Sequence, residues 1–122
     1  TAAIAAEESR DVVTGDIPEG YLNAGIIEDI CMGRYISKLE LVELDNCYLP
    51  YVLVDGSIIV HLIKTIYGLL ESAKLWYEYF SLRLESVNVN ANPVDECVFN
   101  KTISEDQCII ENIVDNMFIT SK

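Results

Sequence analysis

Basic side chains are scarce in this sequence. Eight Lys and Arg stand against 20 Asp and Glu, a formal charge of −12 at pH 7. Nucleic-acid affinity comes largely from cations that neutralise phosphates, so an ordinary autonomous nucleic-acid-binding domain is disfavoured. Histidine is scarcer still: His61 stands alone, and Cys31, Cys47, Cys97 and Cys108 form no C-x-x-C pair. A zinc site therefore lacks ligands at usable spacing. No apolar run approaches the roughly 18 residues that span a bilayer, and there is no charged-then-apolar leader. No membrane partner is expected, and the setting is read as intracellular and reducing, with the cysteines serving as small apolar core residues.

What the chain does have is an apolar majority, 51% of 122 residues. A chain of this length removes roughly two-thirds of its unfolded surface from water, enough for one globular domain without staples. It opens on Thr1 and closes on Lys122 after an unfinished apolar run. That pattern reads as an internal piece of a longer polypeptide, with residues 1–122 a partial domain incomplete at both ends.

Residues 1–9, rich in alanine, suit the tail of a helix. Residues 11–17 read as a strand that Pro18 stops, which leaves Asp16 at its end. A second strand is expected over 26–32. Ser37-Lys38-Leu39-Glu40 has the spacing of a capping box and predicts a helix to about Asn46. Residues 51–54 and 57–63 flank Asp55-Gly56, the signature of a two-residue turn, and predict a hairpin. Residues 72–87 place Leu75, Trp76, Tyr79, Phe80, Leu82 and Val87 at helical spacing. After a polar turn over 88–93, residues 97–103, 108–114 and 117–120 read as three strands joined by 104–107 and by Asp115-Asn116. Helices and strands intermingle without regular alternation, which predicts α+β with a mainly antiparallel sheet.

Two acids stand out by position: Asp16 closes an apolar strand, and Asp115 lies where two apolar strands need a turn. Both placements admit two readings. Aspartate is a good turn and cap residue. Carboxylates on neighbouring strands are also what a hard cation such as magnesium requires, and one or two suffice when substrate phosphates complete the shell.

Four blocks of the sequence resemble one family. Asp16-Ile17-Pro18-Glu19-Gly20-Tyr21-Leu22-Asn23-Ala24 is similar to the D-I-x-G-A-[YF]-L-N-A segment of copia-type retrotransposon reverse transcriptases. Lys64-Thr65-Ile66-Tyr67-Gly68-Leu69, running into Ser72-Ala73-Lys74-Leu75-Trp76-Tyr77, resembles K-x-L-Y-G-L-x-x-S-x-x-x-W-Y. Asp95-Glu96-Cys97-Val98-Phe99-Asn100-Lys101 resembles D-x-C-[VL]-F-x-[KR], and Val114-Asp115-Asn116-Met117-Phe118-Ile119-Thr120 resembles the end of Y-V-D-D-[ML]-x-I-T. The blocks occur in the family's order and span nearly the whole chain.

The resemblance implies part of a right-hand polymerase palm and an RNA-directed DNA polymerase of the Pol polyprotein. Asp16 and Asp115 are then the catalytic carboxylates, holding Mg2+ or Mn2+ for nucleotidyl transfer onto an RNA or DNA template-primer from a dNTP. Tyr21 would lie beneath the incoming sugar or serve only as a core tyrosine. Gly68 and Lys64 would flank the nucleotide phosphates. Trp76 and Tyr77 are expected in the core.

The departures matter as well. Asn116 stands where the family has its second hairpin aspartate, Ile113 replaces the usual Tyr, and Glu111 and Asn112 occupy mostly apolar positions. Glu19 replaces a glycine, and Asn88-Val89-Asn90 replaces L-G-F, which is expected to remove an apolar anchor. Together they imply a copy inactive in isolation. The alternative is a non-catalytic acidic α+β protein, or a relic without enzymatic role.

Overall fold

The computed structural model describes residues 1–122. In chain order the elements are α1 (Ala2–Glu7), β1 (Asp11–Asp16), β2 (Cys31–Tyr35), α2 (Lys38–Leu44), β3 (Ser57–His61), α3 (Ser72–Glu85), β4 (Asn90–Ala91), β5 (Val98–Ile103), β6 (Asp106–Ile113) and β7 (Asn116–Ser121). Short 3-10 turns form at Gly20–Asn23 and Asn46–Tyr51. Every strand pairing is antiparallel and the class is α+β, as the sequence predicts. No helix is long and apolar enough to cross a membrane. The chain divides into two compact units, Thr1–Gly25 with Lys64–Lys122, and Ile26–Ile63.

The first unit is a five-stranded sheet in the order β1-β7-β6-β5-β4 with α3 on one face. Alternation along the strands puts Val13, Ile119, Ile110 and Phe99 in one cross-strand row. Phe99 is fully buried, and its ring meets that of Phe80 edge-on at 5.6 Å. Trp76 and Val89 complete the buried cluster, with Tyr21, Tyr77, Ile110 and Met117 packed around it.

The helical stripe is narrower than the expected one. Trp76, Phe80 and Leu84 follow one another at four-residue spacing into the core, whereas Leu82 and Val87 are 66% and 52% exposed. Val89, in the segment expected to lack an anchor, supplies one: Asn88 at φ +60° turns the chain so that Val89 is buried.

The β5–β6 hairpin turns on Ser104-Glu105, both at positive φ, so β6 begins at Asp106, earlier than expected. The β6–β7 turn is Val114-Asp115 and not Asp115-Asn116, because Ile113 pairs with Asn116. This register sets Ile110 against Ile119 on the core face. A one-residue shift would spoil that match, so burial overrides the turn preference of Asp-Asn.

In the second unit β2 and β3 form a two-stranded sheet. The capping box forms as expected: the Glu40 N–H donates to Ser37 Oγ at 3.2 Å and the Ser37 N–H to Glu40 Oε2 at 2.9 Å. The Ser37 hydroxyl also donates to Glu40 Oε2 at 2.7 Å, and this bond, followed by that from the Ser37 N–H, holds the Glu40 carboxyl below its usual range. The hairpin expected across Asp55-Gly56 does not form. Gly56 takes φ +84° and Asp55 accepts from Ser57, so the turn is real, but the residues before it coil into a 3-10 turn containing Pro50. The 3-10 turn runs on through Tyr51 and the Leu53 and Gly56 N–H groups close a tight local turn, so too little extended chain is left for a ladder and β3 pairs with β2 instead. The strand expected over 26–32 accordingly lies at Cys31–Tyr35. Cys31, Cys47 and Cys97 are exposed and Cys108 half-buried, so the cysteines are not core residues: Cys31 opens a strand of the two-stranded sheet, Cys47 and Cys97 lie in turns, and Cys108 sits on the central strand β6 across from Lys101.

Candidate functional site

The candidate site gathers around the β6–β7 turn in the first unit. Val114, its first central residue, takes φ +61°, a left-handed backbone that a β-branched side chain rarely adopts and that costs roughly 1–3 kcal/mol. Three hydrogen bonds hold it there. The indole Nε1–H of Trp76 donates to the Val114 carbonyl at 2.6 Å, the Ile17 N–H to the Asp115 carbonyl at 2.7 Å, and the Tyr67 hydroxyl to Asp115 Oδ2 at 2.8 Å. Gly20 makes room on the same side, since a Cβ added there would stand 3.0 Å from Asp115 Cβ. Glu19, where the resembling segment has glycine, takes φ +54° and stores strain that a glycine would not.

Asp16 is the last residue of β1 and lies directly across from Asn116. It is exposed, whereas Asp115 is half-buried. Asp115 already has a donor on each oxygen: the Asn116 Nδ2 amide on Oδ1 at 3.2 Å and the Tyr67 hydroxyl on Oδ2. The hydrogen bond to Asp115 is the main cause that raises the Tyr67 hydroxyl above the usual phenol range, with desolvation and the charges of Asp115 and Asp16 acting in the same direction. A pKa raised by folding contributes stability that is present below the ordinary tyrosine value and is lost as pH rises through the raised one. Spectrophotometric titration of wild type minus Tyr67→Phe is therefore expected to show one phenol ionising above about pH 10. Asp115→Asn should bring it back down, and a difference curve at the ordinary value would contradict the pairing.

The other residues singled out by sequence fall near this group with varied contacts. Tyr21 is half-buried, leans its ring against that of Tyr67 with centroids 4.6 Å apart and the planes tilted by 46°, and accepts on its carbonyl from the Thr65 hydroxyl. It packs against the core and also faces the site. Gly68, beside Tyr67, takes φ +96°, which explains glycine at that position. Lys64 directs its ammonium to the Asn23 carbonyl at 3.2 Å. Trp76 and Tyr77 are core residues, as expected. Sequence reasoning missed Tyr67 as a partner of Asp115 and Trp76 as a clamp on the turn, although both lie within the quoted second block.

No group of three or more His, Cys, Asp and Glu gathers to hold a metal ion. Asp16 and Asp115 alone, one of them already bonded on both oxygens, suit a single hard cation and fall short of the carboxylate set that a pair would need. The chain belongs to the family described as reverse transcriptase (RNA-dependent DNA polymerase), whose profile matches residues 1–122, the full sequence. No curated protein matches the chain, and no solved structure does.

Proposed function

We propose that the chain is a copia-type palm fragment of a Pol polyprotein in which Asp16 and Asp115 are the surviving cation ligands and nucleotidyl transfer has been lost. The observation that carries this reading is Asn116. It lies across from Asp16 and donates its amide to Asp115, so the position between the two acids holds a neutral amide where a third carboxylate would bring negative charge. Magnesium or manganese, when bound, would supply Lewis-acid activation of a primer 3′-hydroxyl and neutralise charge on the departing pyrophosphate. The residues of the chain do the positioning: Asp16 and Asp115 bind, Tyr21 lies beneath the sugar of a dNTP, and Gly68 and Lys64 border its phosphates. With a net charge of −12, the chain alone has little to hold a template-primer.

Thermal melts with and without millimolar manganese test the reading. The Asn116→Asp variant is expected to bind manganese about tenfold more tightly than wild type, equivalent to about 1.4 kcal/mol, and to show the larger metal-induced rise in Tm. Asp16→Asn, alone or combined with it, should remove the rise. Primer extension by the wild-type chain, or an Asn116→Asp melt indifferent to manganese, would overturn the reading.

A further inference from the structure

His61 is the only histidine in the chain, and the second unit sets it beside a cysteine. In the β2–β3 ladder Cys31 lies directly across from His61. The adjoining Ile30 and Leu62 are hydrogen-bonded, with the Leu62 N–H on the Ile30 carbonyl at 2.9 Å, so alternation makes Cys31 and His61 a non-hydrogen-bonded pair, the kind whose side chains approach most closely. Both project from one face of the ladder, where such pairs hold their Cβ atoms about 4.5–5.5 Å apart. Asp29 completes the group, with its Oδ1 at 3.1 Å from His61 Nε2. That contact fixes Nε2 as the N–H of a neutral ring and leaves the lone pair on Nδ1. A thiol, an imidazole and a carboxylate that orients the imidazole are the parts of an activated sulfur nucleophile. The face is also open: Tyr35 and Ile59 on it are 76% and 61% exposed, and a Cβ added at Gly33 meets nothing within 4 Å. Met32, Ile58 and Val60 turn the other way, into a hollow shared with Leu41 of α2, so a substituent on the Cys31 sulfur displaces no packed side chain.

We propose that Cys31 is a thiol-exchange site, modified by small uncharged disulfides, with His61 as its base and Asp29 as the residue that positions the base. The Cys31 thiol gives its proton to His61 Nδ1, and its sulfur attacks one sulfur of the disulfide. A bond to Cys31 forms as the S–S bond of the reagent breaks, and the departing thiolate takes the proton from His61, leaving a mixed disulfide and one free thiol. The reagent is uncharged because Asp29 and a net charge of −12 repel anions. No other cysteine can share the one imidazole. Cys97 is exposed like Cys31 but follows Asp95 and Glu96, and at Cys47 desolvation, with the hydrogen bond and charge of Asp45, pushes the thiol up. The site uses neither Asp16 nor Asp115 and stands independently of the cation reading.

The full chain is exposed briefly to hydroxyethyl disulfide and quenched, and the modified fraction of each cysteine is read by peptide mass mapping. Cys31 is expected to react about tenfold faster than Cys97, less than the roughly hundredfold or more that a base supplies in an enclosed site, because this group is open to water. His61→Gln keeps a polar side chain across the ladder without a base and should bring the two rates together, with the Cys97 rate unchanged. Asp29→Asn should lower the ratio by about threefold, since the imidazolium loses its carboxylate. The ultraviolet thiolate absorption of the wild type should fall in Cys31→Ser and equally in His61→Gln, a signature that a structural role for His61 would not produce. The wild-type ratio decides even if a variant fails to fold. Cys31 reacting no faster than Cys97, a ratio that survives His61→Gln, or thiolate absorption unmoved by Cys31→Ser would each overturn the proposal, and a ratio untouched by Asp29→Asn would overturn the role of Asp29.

Discussion

Phe99→Ala is expected to unfold the first unit. Phe99 is the only large apolar side chain with no exposure at all, and it joins the sheet to α3 through Phe80 and Tyr77. Truncating a buried phenylalanine costs about 3–5 kcal/mol in lost transfer energy and cavity formation. Small domains hold only about 5–15 kcal/mol in total, and the buried cluster here is four residues, so little remains to absorb the loss. Urea denaturation followed by Trp76 fluorescence would show the transition moved to very low urea or absent. Leu82→Ala, on the exposed side of α3, is the control, expected within about 0.5 kcal/mol of wild type. A Phe99→Ala transition close to that of wild type would mean that the sheet and α3 are held together elsewhere.

The second large effect is expected at Gly20. A Cβ there meets Asp115 Cβ at 3.0 Å, Asp115 Cα at 3.5 Å and Trp76 Cζ2 at 3.7 Å, and valine adds two further methyls to that contact. Overpacking of this kind costs about 1–3 kcal/mol. The strain falls on the β6–β7 turn, since the neighbours are backbone and the base of a side chain, which cannot swing aside as the tip of a lysine could. Gly20→Val should therefore both lower Tm and return the Tyr67 titration to its ordinary range, because the turn must shift away from Tyr67. Gly25→Ala, where a Cβ meets nothing within 4 Å, should do neither. A Gly20→Val protein that keeps the raised Tyr67 titration would show that the turn is not set by this contact.

How much could be read from the sequence followed the range of the interaction. The capping box depends on residues three apart, and both of its hydrogen bonds form where the spacing placed them. α3 was legible from its period, but its buried edge was not, because Leu82 and Val87 obey the period while no element covers them. Asp55-Gly56 shows the limit of a turn signal: the chain does turn there, yet the 3-10 turn that runs to Tyr51 leaves β3 no extended local partner. The β6–β7 turn was misplaced by one residue because the preference of Asp-Asn is weaker than the burial of Ile110 beside Ile119. At the site, the order of the four blocks was enough to bring Asp16, Tyr21 and Asp115 into one group. The hydroxyl of Tyr67 on Asp115 joins residues 48 apart, and no local pattern encodes such a bond.

The pairing of β1 with β7 has a consequence in time. Asp11 sits against Ser121 and Asp16 against Asn116, so β1 has no ladder partner until β7 has been synthesised. The β4–β5–β6–β7 meander can zip up from local turns, whereas β1 must wait as a bare edge with Val12 and Val13 uncovered. Contacts so distant along the chain are slow to close, and waiting apolar edges invite wrong partners. On the ribosome the two acids therefore meet only once β7 has been made, and a nascent chain halted shortly before that strand would carry Asp16 with nothing to stand beside.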